Sequence, residues 1–230
     1  MGQIVNSQSE ELRHERKFLI TDHSAAEVEQ IIKFNPACFT EIHHQRTVNN
    51  IYFDSLAFDS YYRNVEGDTN RTKARIRWYG GLFGKVTNAM LEFKIKKGLL
   101  GRKQSYSLDA FQLDEHFSKQ QIEAAIANTP IDIRHWMLSM QPALLNSYIR
   151  KYFLSADKKF RLTIDSEQIY YRISYNNNTF LNKVNNPQAV VLELKYEMSL
   201  DEEANVISNG FPFAMTKNSK YLQGIERVLF

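Results

Sequence analysis

Four stretches of the chain alternate charged and apolar residues with period two: Thr72–Trp78 (TKARIRW), Leu91–Lys96 (LEFKIK), Arg161–Asp165 (RLTID) and Leu192–Glu197 (LELKYE). Successive side chains of an extended strand point to opposite faces. Lys73, Arg75 and Arg77 therefore share one face, and Ala74, Ile76 and Trp78 the other. Glu92, Lys94 and Lys96 are likewise set against Leu91, Phe93 and Ile95, and Glu193, Lys195 and Glu197 against Leu192, Leu194 and Tyr196. Such strands predict a sheet with one apolar face and one ionic face. Two environments suit the ionic face, bulk water with cross-strand ion pairs or a bound ligand.

Other patterns fill in the elements. His14–Ile20 predicts a strand. Ser24 with Glu27 forms a capping box ahead of Val28, Ile31 and Ile32, and that helix should end near Asn35-Pro36. Thr47–Asp54 predicts a strand, and a short helical or irregular segment with Phe58, Tyr61 and Tyr62 follows it. Lys73–Tyr79 and Val86–Lys97 flank a Gly-rich turn (Gly80, Gly81, Gly84) and suggest a hairpin, after which Arg102–Leu108 is extended. Helix-spaced apolar residues over 114–128 and 131–141, with Pro130 between, predict two helices outside the sheet. Strands resume at Leu145–Leu154, Arg161–Ile173 and Ala189–Met198, the last two separated by an Asn-rich loop. Asp201–Ser208 and Asn218–Leu229 predict two closing helices around a Gly210-Phe211-Pro212 break. Residues 1–12 are expected to be a flexible lead-in and residues 13–230 a single domain, because no repeat or Pro/Ser linker divides them. So few helices cannot cover both faces of a long open sheet. The economical fold is α+β: a closed antiparallel β-barrel of about eight strands, charges inward, with the helices packed outside.

Composition narrows the function classes. At 43% hydrophobic and 24% charged the chain is an ordinary globular sequence. A net charge of +3 is too small to call for a nucleic-acid partner, so any anion must be met by local placement of charge. The single cysteine, Cys38, excludes an internal disulfide and a cysteine-built metal site, and is expected to be a buried small hydrophobe. No apolar run approaches the roughly 18 residues of a membrane span. The first residues lack the apolar centre of a signal peptide, and a cytoplasmic location is expected. The six histidines include no H-E-x-x-H pattern, and no G-x-x-x-x-G-K-[ST] loop is present, so bound ATP would not sit on a P-loop. Tyr52, Phe53, Tyr61, Tyr62, Trp78 and Tyr79 are expected in the core rather than stacked on a base.

An inward face of Lys and Arg is costly when empty, because like charges repel where solvent is scarce, and a polyanion relieves that cost. Arg offers phosphate oxygens planar bidentate hydrogen bonds, and Lys offers point charges. Interleaved glutamates would not serve a pure anion sink. They suit Mg²⁺ or Mn²⁺, which bridge carboxylates to substrate phosphates. The combination describes a phosphoryl-transfer site.

His14-Glu15-Arg16-Lys17-Phe18, Asn50-Ile51-Tyr52-Phe53-Asp54, Ala74-Arg75-Ile76-Arg77-Trp78-Tyr79-Gly80, Leu91-Glu92-Phe93-Lys94, Gly101-Arg102-Lys103, Arg161-Leu162-Thr163-Ile164-Asp165 and Leu192-Glu193-Leu194-Lys195 occur in an order that resembles the VTC domain, from about Arg13 to Phe230. That domain is the catalytic module of the vacuolar transporter chaperone polyphosphate polymerase, within the triphosphate tunnel metalloenzyme (CYTH-like) superfamily. The resemblance implies a basic antiparallel tunnel with a glutamate-held metal, Mn²⁺ or Mg²⁺. It implies Lys17, Arg75, Arg77 and Lys94 as catalytic and, with Lys103, Arg150, Ser219 and Lys220, as phosphate contacts. Glu193 is the implied metal ligand, and Glu15 matches the second glutamate of the superfamily's Glu-x-Glu-x-Lys signature. Arg13 stands at the first position of that signature, which argues against the hydrolase and cyclase branches. Lys195 and Glu92 share faces with these residues and are placed inside with them. The expected activity is ATP-dependent polyphosphate polymerisation, with ATP or triphosphate and polyphosphate as partners. Tripolyphosphate hydrolysis and non-catalytic polyphosphate binding are the alternatives. The resemblance leaves room for a membrane partner protein encoded elsewhere.

Overall fold

Alternation decides the architecture, because every strand that carries it must bury one face. The computed structural model describes residues 13–68, 70–97 and 100–229, so the expected flexible lead-in lies outside the described residues. The chain runs β1 (Arg13–Ile20), α1 (Ala25–Lys33), β2 (Thr40–Asp54), α2 (Asp59–Val65), β3 (Arg71–Tyr79), β4 (Gly84–Val86), β5 (Met90–Lys97), β6 (Leu100–Ser107) and β7 (Phe111–Leu113). It continues α3 (Lys119–Ala125), α4 (Ile131–Leu138), β8 (Gln141–Leu154), β9 (Arg161–Tyr171), β10 (Lys183–Asn186), β11 (Val190–Glu197), α5 (Asp201–Asn209) and α6 (Lys220–Leu229). The capping box forms as expected: Ser24 Oγ accepts from the Glu27 amide at 3.3 Å, and Glu27 Oε2 accepts from the Ser24 amide at 2.7 Å. Among the described residues, no helix is long and apolar enough to cross a membrane.

One antiparallel sheet holds most strands in the order β1-β11-β9-β8-β2-β3-β5-β6, with β10 on β9. The expected hairpin is β3 with β5, and Val86 is not part of it. Asn88 adopts a left-handed φ of 54° that breaks the extended run, and β4 pairs instead with β7. Both partners are three residues long, too short to show a period. The expected helix over 114–128 is confined to α3, and Cys38 is exposed at a φ of 51° rather than buried. Its neighbour Phe39 takes the buried place.

The apolar sides of the strands form the outer face. Ile51, Phe53, Ala74, Ile76, Trp78, Leu91 and Phe93 pack with Ile122 and Ala125 of α3 and with Ile133 and Met137 of α4. Phe18, Leu162, Ile164, Leu192 and Leu194 pack with Val28 and Ile32 of α1 and with Ala204 and Ile207 of α5. Each such side chain contributes roughly 1.5–3 kcal/mol on burial, which ties the orientation of every charged neighbour to the core. Of the aromatics expected inside, Tyr52, Phe53, Tyr61 and Trp78 are buried, whereas Tyr62 and Tyr79 are half exposed.

The barrel is not closed by hydrogen bonds among the described residues, because β1 and β6 are the ends of the ladder. The free edge of β1 is taken by the segment leading to the last helix. Phe18 bridges Met215, the Thr216 amide donates to the Lys17 carbonyl at 2.8 Å, and the Leu19 amide donates to Thr216 Oγ1 at 2.9 Å. Curvature still brings the two ends near each other, since Lys94 Nζ of β5 lies 3.7 Å from Glu15 Oε2 of β1.

α6 does not pack outside, as expected of the helices, but on the inner face. Its Tyr221 and Ile225 cluster with Tyr52, Leu144 and Tyr170. Tyr52 pairs in register with both Arg75 and Leu144, and cross-strand neighbours share a face. Close approach is possible because α6 carries Gly224, where an added Cβ would lie 2.2 Å from Leu144 Cδ2 and 2.7 Å from Tyr170 Cδ1. Gly224→Val should therefore cost about 3 kcal/mol, or roughly 10 °C of thermal midpoint. An unchanged midpoint in thermal unfolding would contradict this seating of α6.

Candidate functional site

Register assembles the ionic face. On one side of the concave surface Lys17 stands opposite Glu193, which stands opposite Thr163, and Arg150 stands opposite Asp165. On the other, Arg75 lies between Tyr52 and Glu92, while Lys73, Lys94 and Lys103 form a row across β3, β5 and β6. Period-two alternation places these groups on one side of the sheet, and the outer core holds them there.

The charges form a network with Asp165 at its deepest point. This fully buried carboxylate accepts from Arg150 Nε at 2.5 Å and Nη2 at 2.6 Å, and Lys220 Nζ lies 2.5 Å from its Oδ2. The Tyr148 ring lies beneath both cations, 5.3 Å from Arg150 Cζ and 4.8 Å from Lys220 Nζ. Glu193 faces Lys17 at 3.2 Å, Lys195 at 3.3 Å, Arg150 at 3.6 Å and Lys220 at 3.8 Å. Glu15 contacts Lys17 at 3.0 Å as well as Lys94. Glu92 meets Arg75 at 2.7 Å, Lys103 at 3.2 Å and Arg77 at 3.5 Å. Eight cations thus share four carboxylates. The concave face keeps an excess of positive charge.

Proton affinities follow the same arrangement. Burial favours the neutral form of Glu193, but Lys17, Lys195, Lys220 and Arg150 outweigh it and hold the carboxyl well below its ordinary range. Burial is likewise overcome at Asp165 by Arg150 and Lys220, and at Glu92 by Arg75 and Lys103. Burial also opposes the charged form of Lys17, yet Glu193 and Glu15 push its ammonium above the usual value. Lys73 goes the other way. Burial, reinforced by Arg71, Lys17, Lys94 and Arg75, lowers it to about 7.

The structure brings every expected site residue to this face: Lys17, Arg75, Arg77, Lys94, Lys103, Arg150, Lys195, Glu15 and Glu193 from the strands, and Lys220 from α6. Ser219 is one residue ahead of α6 rather than within it, and its Oγ accepts from Lys73 Nζ at 3.1 Å. Asp165 and Tyr148 were missed by sequence reasoning. Alternation in RLTID puts Asp165 on the charged face, but only its register with Arg150 reveals the pairing. Among the described residues, no group of three or more His, Cys, Asp or Glu side chains could enclose a metal. Glu193 and Glu15 meet on Lys17 Nζ, at 3.2 and 3.0 Å, and are the two carboxylates that a hard cation on this face would use.

Among comparisons with known proteins, a family model agrees with the motif resemblance. A family model described as the VTC domain matches residues 12–229. No curated protein matches the chain. Among solved structures, a protein from Pyrococcus horikoshii OT3 is 12% identical with a TM-score of 0.47, over 93% of this chain and 96% of that one. A protein titled a putative adenylate cyclase from Vibrio parahaemolyticus is 10% identical with a TM-score of 0.48, over 96% of this chain and 97% of that one.

Two outcomes are expected from these charges. Glu193 and Asp165 titrate near 4.5 and 3.8 when unpaired and lower in the folded chain. The folded state therefore binds fewer protons, so their stabilisation is present above about pH 4.5 and is lost as pH falls through the lower, folded values. Urea midpoints should be level near neutrality and fall on acidification below that point. Asp165→Asn leaves Arg150 and Lys220 facing each other without their shared counter-charge and should cost about 3–5 kcal/mol. Denaturant unfolding at pH 7 would refute this with a loss under about 1 kcal/mol.

Proposed function

Because the chain belongs to the VTC domain family, we propose that it is an ATP-dependent polyphosphate polymerase working on the concave ionic face. The observation that supports this most is the gathering of eight cations around four carboxylates there, an excess of positive charge that a bound polyanion would balance. A compact dianion would meet a few of these groups. A condensed phosphate chain can meet them all, because the cations extend from Lys103 and Arg77 on one side to Lys195 and Lys220 on the other.

In the proposed reaction a terminal oxygen of inorganic phosphate or of the growing polymer attacks the γ-phosphorus of ATP. The bond from that phosphorus to the β-bridging oxygen breaks, and ADP leaves. The attacking oxygen is already anionic, so no general base is required. Arg75 and Arg77 donate to the equatorial oxygens of the transferring group, where charge spreads in a loose transition state. Lys17 and Lys94 neutralise the flanking phosphates. Arg150, Lys220, Lys195 and Lys103, with the Ser219 hydroxyl, fix the position of the chain. Mn²⁺ or Mg²⁺ held by Glu193 with Glu15 would add charge neutralisation and orient the phosphates. Each cation gives up part of its carboxylate contact when phosphate arrives, so the glutamates keep the empty face soluble and ionised. Arg13 at the first position of the Glu-x-Glu-x-Lys signature favours transfer to phosphate over hydrolysis. We place the reaction in the cytoplasm. A membrane partner that carries product away would be a separate chain.

Incubation with ATP and Mn²⁺ should yield polymer that migrates as a ladder on a gel and is destroyed by a polyphosphatase. Free phosphate without polymer would instead identify a hydrolase, and tight salt-sensitive binding without turnover a binding module. Arg75→Ala and Lys94→Ala should each lower polymer formation by about 10²–10³-fold while leaving far-ultraviolet circular dichroism unchanged. Wild-type rates in both variants would discard the assignment.

A further inference from the structure

Lys73 of the concave face does not share in the carboxylates. Lys17, Arg75, Arg77, Lys94, Lys103, Arg150, Lys195 and Lys220 each lie within 4.0 Å of Glu15, Glu92, Asp165 or Glu193. Lys73 has no ion pair among the described residues. Its Nζ donates to Ser219 Oγ at 3.1 Å, and that oxygen also accepts from Asn64 Nδ2 at 3.4 Å. With two donors directed at its oxygen, Ser219 has its own hydroxyl proton left to give, and no acceptor for it is found among the described residues. An amine and a hydroxyl proton without an anionic partner are thus held together at the start of α6.

The strongest charged influences on Lys73 come from cations, Arg71 and Arg75 of β3, Lys17 of β1 and Lys94 of β5, and Glu15 of β1 contacts the last two. Lys94, the cross-strand neighbour of Lys73, is itself opposite Lys103. Repulsion in this half-buried setting disfavours a further positive charge. A phosphate oxygen placed among them would reverse that, because the anion both screens the neighbours and accepts from the ammonium.

We propose that Lys73, held against Ser219, is an additional phosphate contact on the concave face, one that takes up a proton as the condensed phosphate chain fills it. This rests on the reading that the face receives such a chain. It adds a residue outside the expected contact set and a proton to the binding equilibrium. The depressed proton affinity of Lys73, to about 7, fits the same role: the amine is largely neutral at pH 8 when empty and charged when occupied.

The test is isothermal titration calorimetry of the full chain with tripolyphosphate, with no turnover required. Titrations at pH 8 in buffers of different ionisation enthalpy count the protons taken up. Wild type should take up about one proton more per chain than Lys73→Met, and the difference should vanish at pH 6, where Lys73 is already charged. Lys73→Met should bind about tenfold more weakly, as expected for loss of a charge-assisted hydrogen bond. Lys73→Arg should restore affinity but not proton uptake. Ser219→Ala should weaken binding in the same direction, and circular dichroism should show each variant folded. Equal affinity or equal proton counts in wild type and Lys73→Met would overturn this assignment alone. Failure of wild type to bind tripolyphosphate would overturn the polyphosphate reading and this one with it.

Discussion

The structure depends on confining like charge. Lys, Arg and the ends of β1 and β5 converge on a concave face, and Asp165 shared between Arg150 and Lys220 makes that convergence tolerable at its deepest point. A buried carboxylate that serves two cations is nearly irreplaceable, because removing it leaves two charges uncompensated. Glu193 plays the same part at the next layer, and Glu92 on the facing strands. These acids do not cancel the field. They divide it, so that each cation has a fixed geometry and the surplus is left for whatever enters.

Half of this arrangement could be read without coordinates. Alternation in TKARIRW, LEFKIK and LELKYE assigns inside and outside correctly because the outer face packs against helices and the pattern is therefore strict. The Ser24–Glu27 box marks α1 because capping is a local interaction. What escaped is non-local. β4 and β7 pair across 25 residues or so with only three residues each, and no period survives at that length. The inward seat of α6 depends on a missing Cβ at Gly224, which a sequence pattern registers only as a weak helix former.

The site shows the same division. The residues carried by motif resemblance converge, yet their partners did not announce themselves. Asp165 looks like any polar strand residue until register sets it against Arg150, and Lys73 looks like Lys94 until the carboxylates are allotted and none reaches it. Which charges are paired is a property of distance, and distance is set by curvature and by the strand order rather than by spacing along the chain.

The seam along β1 has a consequence for the life of the polypeptide. Met215 and Thr216 bind a strand made some 200 residues earlier, and Lys220 follows directly into the network. A growing chain emerging from the ribosome could pair most of its strands, but not this edge, until nearly all of it had been made. Until then β1 would offer bare amides and carbonyls to any passing strand, the exposure that leads to aggregation. The same few residues that finish the ionic surface also retire that hazard, so completion of the charge network and protection from misassembly are a single late event.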